Sequence, residues 1–252
     1  VIYKKLISDE KIEKLSESFE IFKKSNLPYY SQSIHTWIPP EIDNKGFMKE
    51  SMENFTRVLW LKKLALYGND ILLGKEIDDV LKILMPEIKL FAQWQNMLFD
   101  KSTGTIDHYD GYYLDTFPNG YLIGTWVALE DIDERSGAFK VFPGSQNFFS
   151  NGVWNDLSHE NFRKKCKEYA DKNKFKHALL QKGDALFWHP ALLHGASEQT
   201  DESYSRKSLT SHYYPYGYGR KNDGIRKSMF RDFQSKVLYR PTKIRDYPIL
   251  SS

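Results

Sequence analysis

Two stretches hold the residues that could do chemistry. His108-Tyr109-Asp110 sets an imidazole and a carboxylate two positions apart. In a strand such residues face the same side, about 7 Å apart along the backbone. Far along the chain, Lys182 to Pro215 carries a Gly-Asp turn, an apolar run, His194, a polar loop and Arg206. His108, Asp110 and His194 together make a candidate metal site. Two imidazoles and one carboxylate on one face of an octahedron leave three positions open, as in non-haem Fe(II) oxygenases. Tetrahedral zinc accepts the same donors, so donor type alone leaves the metal open. Arg206 is then the candidate holder of an anionic co-substrate.

The other histidines read differently. His189 stands in Phe-Trp-His-Pro, a setting that suits a turn. His212, on the last strand-like run, reads as a core or pocket-wall residue. His159 and His177 read as surface. His35 lies in the irregular segment Asn26 to Pro40 and is a candidate substrate contact, as are Tyr112 and Tyr113 just after Asp110.

These residues need strands to hold them. Ile88 to Asp100, Thr105 to Asp110, Tyr121 to Leu129, Ala138 to Phe142, Ala178 to Gln181, Ala185 to His189, Ala191 to His194 and Lys207 to Tyr214 are short apolar runs separated by Gly, Pro and Asp turns. Many short strands without alternating helices predict a sandwich or closed barrel rather than a parallel α/β sheet. The first third predicts helices instead. Ser8-Asp9-Glu10 opens one that runs to about Lys24, Met48 to Leu66 reads as a second, Gly68-Asn69-Asp70 as a turn, and Ile71 to Met85 as a third. Asn26 to Pro40 fits neither period and reads as a long ordered loop.

The chain has 252 residues, 40% hydrophobic and 27% charged, which suits one globular domain with a sizeable core. We divide that domain into a mostly helical flank (1–87), a β core (88–216) with an insertion at about 147–175, and a basic segment (217–252). That last segment has nine Lys or Arg against three Asp, so about +6 of the net +3 lies there and −3 elsewhere. No aromatic-stacking or nucleic-acid motif accompanies the charge, so a nucleic-acid partner is not expected. A lone cysteine, Cys166, cannot form an internal disulfide and predicts an inert thiol in a reducing compartment. No apolar run nears the roughly 20 residues needed to cross a bilayer. No leader pattern is seen, and a cytoplasmic location is expected. The chain begins at Val1 rather than Met, so a few residues are expected to precede it. Oligomeric state is not legible.

Taken together, these motifs resemble the phytanoyl-CoA dioxygenase-like family of Fe(II)/2-oxoglutarate-dependent oxygenases. The likeness runs from about Phe91 to Pro215. It rests on His108-Tyr109-Asp110, Trp126-Val127-Ala128-Leu129, Ser136-Gly137-Ala138, Pro143-Gly144-Ser145-Gln146, Gly183-Asp184, His194-Gly195 and Arg206. The resemblance implies a mainly β fold, a double-stranded β-helix (cupin-like jelly roll), with helices outside. It implies that His108, Asp110 and His194 bind Fe(II), and that Arg206 pairs with the far carboxylate of 2-oxoglutarate. O2 would be the second co-substrate. Trp126 would lie beside 2-oxoglutarate, and Gln95 is a candidate polar contact near it. Relatives often carry a co-substrate Ser two residues after the distal His. Here that position is Ala196, which makes Ser197 the candidate, shifted by one. Relatives that halogenate lack the carboxylate, so Asp110 implies hydroxylation or a related C–H oxidation, with release of succinate and CO2. Polar aromatics at the expected mouth (Tyr29, Tyr30, Trp37, Tyr112, Tyr113) imply a small polar or amphipathic substrate. The rival reading is a non-catalytic jelly-roll protein that binds a ligand such as a carbohydrate.

Overall fold

A computed structural model describes residues 1–150 and 156–220, and the backbone of Arg231–Phe233 and Val237–Tyr239. Most of the basic segment 217–252 lies outside the described residues. β1 (Ile2–Tyr3) leads into α1 (Asp9–Lys23). The Ser8 hydroxyl accepts from the Lys11 amide at 3.4 Å, and Asp9 and Glu10 occupy the first turn, where the helix dipole favours negative charge. Ile12, Leu15, Phe19 and Phe22 form the buried stripe.

Asn26 to Pro40 is not wholly irregular. It contains a small antiparallel pair, β2 (Tyr29–Tyr30) and β3 (Trp37–Ile38). The helix expected over Met48 to Leu66 is absent. β4 (Met52–Glu53) and a single 3₁₀ turn, Phe55–Arg57, occupy that stretch, and α2 runs later, over Lys62–Leu72. Met48, Met52 and Phe55 have helical spacing, but β4 pairs with a long strand, β5 (Phe91–Phe99), and that ladder overrides the local period. Gly68-Asn69-Asp70, expected as a turn, lies inside α2. A Cβ on Gly68 would stand 2.5 Å from the Phe55 ring, so glycine there permits close packing of the helix. α3 (Lys75–Leu84) follows, so the first third, expected to be mostly helical, mixes three helices with four short strands.

The β core follows. After β5 come β6 (Thr116–Phe117), β7 (Ile123–Ala128) and β8 (Phe139–Val141). α4 (Gln146–Phe149) and α5 (His159–Ala170) fall in the expected insertion. β9 (Lys176–His177) replaces the strand expected at Ala178 to Gln181. β10 (Ala185–Trp188), β11 (His194–Ala196), β12 (Ser208–Pro215) and β13 (Gly219–Arg220) come next, with β14 (Arg231–Phe233) and β15 (Val237–Tyr239) at the edge. The large sheet has the order β1-β10-β7-β12-β5-β15-β14, with β4 also on β5; the small one is β11-β8-β9.

β7 shows why the two sheets form a jelly roll. All six of its residues are buried, because both faces are covered. Ile123 and Val127 join the core that the helices pack against, while Trp126 and Ala128 face the small sheet. The Trp126 ring stacks on Phe139 of β8 at 5.3 Å and 23°, which ties the sheets together on one side of a cavity. β12 alternates likewise: Leu209 and Tyr213 join the helical core, and Thr210 and His212 line the cavity. Among the described residues no helix is long and apolar enough to cross a membrane.

Candidate metal and co-substrate site

His194 lies on β11 of the small sheet, and His108 stands beside it through a single isolated bridge, which is all that forms of the strand expected over Thr105 to Asp110. Each donates its backbone amide to the other's carbonyl at 2.9 Å, and their ring centroids are 4.4 Å apart. Tyr109 is extended, and the chain then turns into a 3₁₀ turn at Asp110–Tyr112. Asp110 therefore opens a turn rather than standing two places along a strand, yet its carboxylate still meets both rings. The three ligand atoms lie within 4.8 Å of one another. Asp110 Oδ1 is 3.5 Å from His108 Nε2 and 3.6 Å from His194 Nε2.

The tautomers follow from the second ring nitrogens. His108 Nδ1 donates to the Ile106 carbonyl at 2.8 Å, and His194 Nδ1 to the Leu192 carbonyl at 2.9 Å. A carbonyl only accepts, so both Nδ1 atoms carry hydrogen and both Nε2 lone pairs are left for a cation. The other carboxylate oxygen of Asp110 is used by the protein. Oδ2 accepts from Trp188 Nε1 at 2.7 Å and from His212 Nε2 at 3.2 Å. His212 Nδ1 in turn accepts from Gln95 Nε2 at 3.3 Å. This chain of bonds leaves Oδ1 alone to serve as a ligand.

Burial and neighbouring charge set the protonation states. Burial raises the Asp110 pKa, but His194, His212 and His108 outweigh it and hold the carboxyl well below its ordinary value. Burial lowers His194 to about 4. Burial also lowers His108, but Asp110 beside it wins and the net shift is upward. An ionised carboxylate and a neutral His194, with His108 as the one imidazole that favours a proton, form a donor set suited to a divalent cation.

The cluster sits at the base of a cavity of about 840 Å³ between the sheets. Arg206 lines it too, and is 3% exposed. Its Nη1 donates to the Gly137 carbonyl at 2.9 Å, while its buried Nε has no partner. Burial lowers it to about 10, so it stays cationic at neutral pH. Among the described residues it makes no ion pair, so a buried guanidinium faces the cavity with donors to spare. That fits an anionic ligand reaching in beside the His108, Asp110 and His194 cluster.

Residues 1–208 match the family described as phytanoyl-CoA dioxygenase (PhyH). The chain belongs to that family. It is similar to the peroxisomal phytanoyl-CoA dioxygenase of Bos taurus, at 25% identity over 154 residues, 55% of this chain and 44% of that protein. The match thus spans less than half the length of that curated relative. Among solved structures it is similar to the epimerase SnoN from nogalamycin biosynthesis, in complex with Fe3+, alpha ketoglutarate and nogalamycin RO. That likeness has a TM-score of 0.61 and 14% identity, and covers 89% of this chain and 82% of SnoN. It is also similar to HygX of Streptomyces hygroscopicus with nickel, 2-oxoglutarate and hygromycin B bound, at a TM-score of 0.56 and 12% identity, covering 86% and 83%. At these identities the two structures share the fold.

In this member of the phytanoyl-CoA dioxygenase family, the residues singled out from sequence divide into two groups. His108, Asp110, His194, Arg206, Trp126, Gln95, Tyr113 and His35 all line the one cavity. Gln95 reaches Asp110 through His212. Tyr113 closes one side, its hydroxyl 2.9 Å from His159 Nε2. His35 stands at the exposed mouth with a left-handed φ of 55°. Ser197 and Tyr112 are elsewhere. The Ser197 hydroxyl lies 2.7 Å from His177 Nε2, in a separate surface recess, and Ala196 takes the cavity wall. The Tyr112 ring stacks on Phe162 of α5 at 3.8 Å, and its hydroxyl donates to the Leu157 carbonyl. His189 Nδ1 accepts from the Ala191 amide, as expected of a turn.

Sequence reading missed the bonds that Trp188 and His212 make to Asp110. A signal was present for His212: Ser208, Thr210 and His212 share one parity along β12, and Arg206, two residues before that strand, continues it into the same cavity. No comparable signal existed for Gly124. A Cβ there would stand 2.1 Å from the Trp188 ring, so only glycine lets that indole lie across β7 and reach Asp110.

Proposed function

We propose that the chain is an Fe(II)- and 2-oxoglutarate-dependent dioxygenase that hydroxylates, or otherwise oxidises, a C–H bond of a small polar or amphipathic molecule. The observation that carries this reading is one cavity holding both a two-imidazole, one-carboxylate cluster and a buried, unpaired guanidinium. His108 Nε2, His194 Nε2 and Asp110 Oδ1 would hold the metal, and Arg206 the far carboxylate of 2-oxoglutarate. When bound, these groups supply an oxidant made from O2, and 2-oxoglutarate leaves as succinate and CO2. The protein positions and dries the site. Phe139 and Trp188 pack their rings against His194, and Trp126, stacked on Phe139, extends that cavity wall. Trp188 and His212 hold Asp110 to a single free oxygen.

The direct test uses the anaerobic full chain. Fe(II) followed by 2-oxoglutarate is expected to produce the weak visible charge-transfer band of a chelated keto acid, and admitting O2 with substrate is expected to yield succinate. A folded, iron-loaded protein without that band would leave the fold without its chemistry and favour a ligand-binding jelly roll.

Two further variants probe the surroundings. Gly124→Val drives a side chain into the Trp188 ring and takes the indole off Asp110. Losing such an outer partner is expected to weaken Fe(II) binding about 10–100-fold, read by metal titration of a protein whose circular dichroism is unchanged. Ser197→Ala removes a hydroxyl that faces His177. It is expected to change the 2-oxoglutarate dissociation constant by less than about two-fold, the scatter typical of a substitution away from a site; a ten-fold loss would restore Ser197 to the co-substrate.

We also propose a reducing, cytoplasmic setting. Supporting it is Cys166, a buried free thiol whose pKa burial pushes up to about 12.

A further inference from the structure

The outer half of the cavity carries a carboxylate that the metal and co-substrate do not use. In the β4–β5–β12–β7 ladder, Glu53 stands opposite Met97, Met97 opposite Thr210, and Thr210 opposite Trp126. All four line the cavity, so they form one row of side chains across its wall. β4 is two strand spacings, about 10 Å, from β12, the strand whose His212 touches Asp110. Glu53 is half-buried, and its Oε1 accepts from Asn54 Nδ2 at 3.0 Å. It makes no ion pair with any described Lys, Arg or His. Arg57 lines the same wall, but its Nη2 is turned to the carbonyls of Gln93 and Trp94 at 3.4 and 2.6 Å. Burial raises the Glu53 pKa, as expected of a carboxylate short of positive charge, with His35 and Arg57 opposing.

Among the described residues Glu53 thus has no ion-paired partner, and a partly dried carboxylate without one is costly unless a ligand completes it. Two aromatic rings lining the same cavity favour one kind of ligand. Tyr30 and Trp37 line the same mouth, edge to face at 5.8 Å, and aromatic faces attract cations. We propose that Glu53 reads the substrate, and that the substrate carries a protonated amine about two strand spacings from the carbon that is oxidised. This rests on the dioxygenase reading for the word substrate, but the cation preference belongs to the cavity alone.

Two probes of equal length and different charge test it: n-hexylammonium and 1-hexanol, titrated calorimetrically into the full chain without metal. Hexylammonium is expected to bind about ten-fold more tightly than hexanol, the value of one charge-assisted hydrogen bond. Glu53→Gln is expected to bring hexylammonium to within about two-fold of hexanol, and Glu53→Lys to place it below hexanol. Equal binding of the two probes by the unaltered protein, or a preference for hexylammonium that survives Glu53→Gln, overturns the proposal. The charge-transfer band, recorded separately on the unaltered protein, judges the dioxygenase reading. A cation preference without a band would leave Glu53 as a binding residue of a non-oxygenase. A band without the preference would leave an oxygenase of another substrate class.

Discussion

Arg206→Lys is expected to weaken 2-oxoglutarate binding about 10–100-fold while leaving Fe(II) affinity within about two-fold, the cost of one or two charge-assisted bonds. The reason is geometric. One arm of the guanidinium is spent on the Gly137 carbonyl, which fixes the plane of the group, and Nε stays free. A planar fork held this way can meet both oxygens of a carboxylate, whereas an ammonium meets them as a point charge and needs more hydration. Arg206 is buried, so water cannot replace the lost bond. Titrating the charge-transfer band of the anaerobic iron-loaded protein with 2-oxoglutarate gives the number. An unchanged 2-oxoglutarate affinity would remove Arg206 from the co-substrate site and with it the strongest support for the oxygenase reading.

His194→Ala is expected to lower Fe(II) affinity by at least about 100-fold and to end turnover, because a divalent ion loses one of three protein donors. The ring also fills space: it stacks on Phe139 at 5.3 Å and packs against Trp188 at 5.1 Å. His194→Gln, which keeps more of that volume, therefore separates loss of the ligand from loss of packing. Both variants are expected to fail in metal titration while their thermal midpoints differ. The pH dependence of metal uptake has a definite sign. His194, lowered to about 4 by burial, is neutral and ready at every pH above that. His108 is raised above its ordinary 6.5, burial opposing and Asp110 prevailing, so the cation must displace a proton there. Uptake is expected to release a proton and to weaken steadily as pH falls through the imidazole range. Uptake that stayed flat down to about pH 5 would show that His108 holds no proton to displace.

Much of the cavity wall was legible because its residues sit on strands with a strict period. The Trp126 run and the parity of β12 each place a side chain on one face, and the jelly roll folds those faces inward. Even so, the alternation argument for Asp110 brought it beside His108 by an inexact route, since His108 makes only an isolated bridge and Asp110 opens a 3₁₀ turn. The helical flank was less legible. Met48, Met52 and Phe55 satisfy a helical period, yet Met52 and Glu53 are drawn into the large sheet by Leu98 and Met97. A short segment cannot report a pairing partner that lies tens of residues away, and Glu53 therefore gave no sign of facing the cavity.

Local chemistry accordingly settled which residue types could bind a cation and an anion, because donor atoms and strand parity are properties of the chain itself. The folded molecule decided which of those residues meet. It put Ala196 rather than Ser197 on the cavity, turned Tyr112 onto α5, and joined Trp188 and His212 to the far oxygen of Asp110. Each of these outcomes depends on side chains from different strands arriving within hydrogen-bond reach. That proximity is set by sheet register and by one missing Cβ at Gly124, neither of which a local pattern of residues encodes.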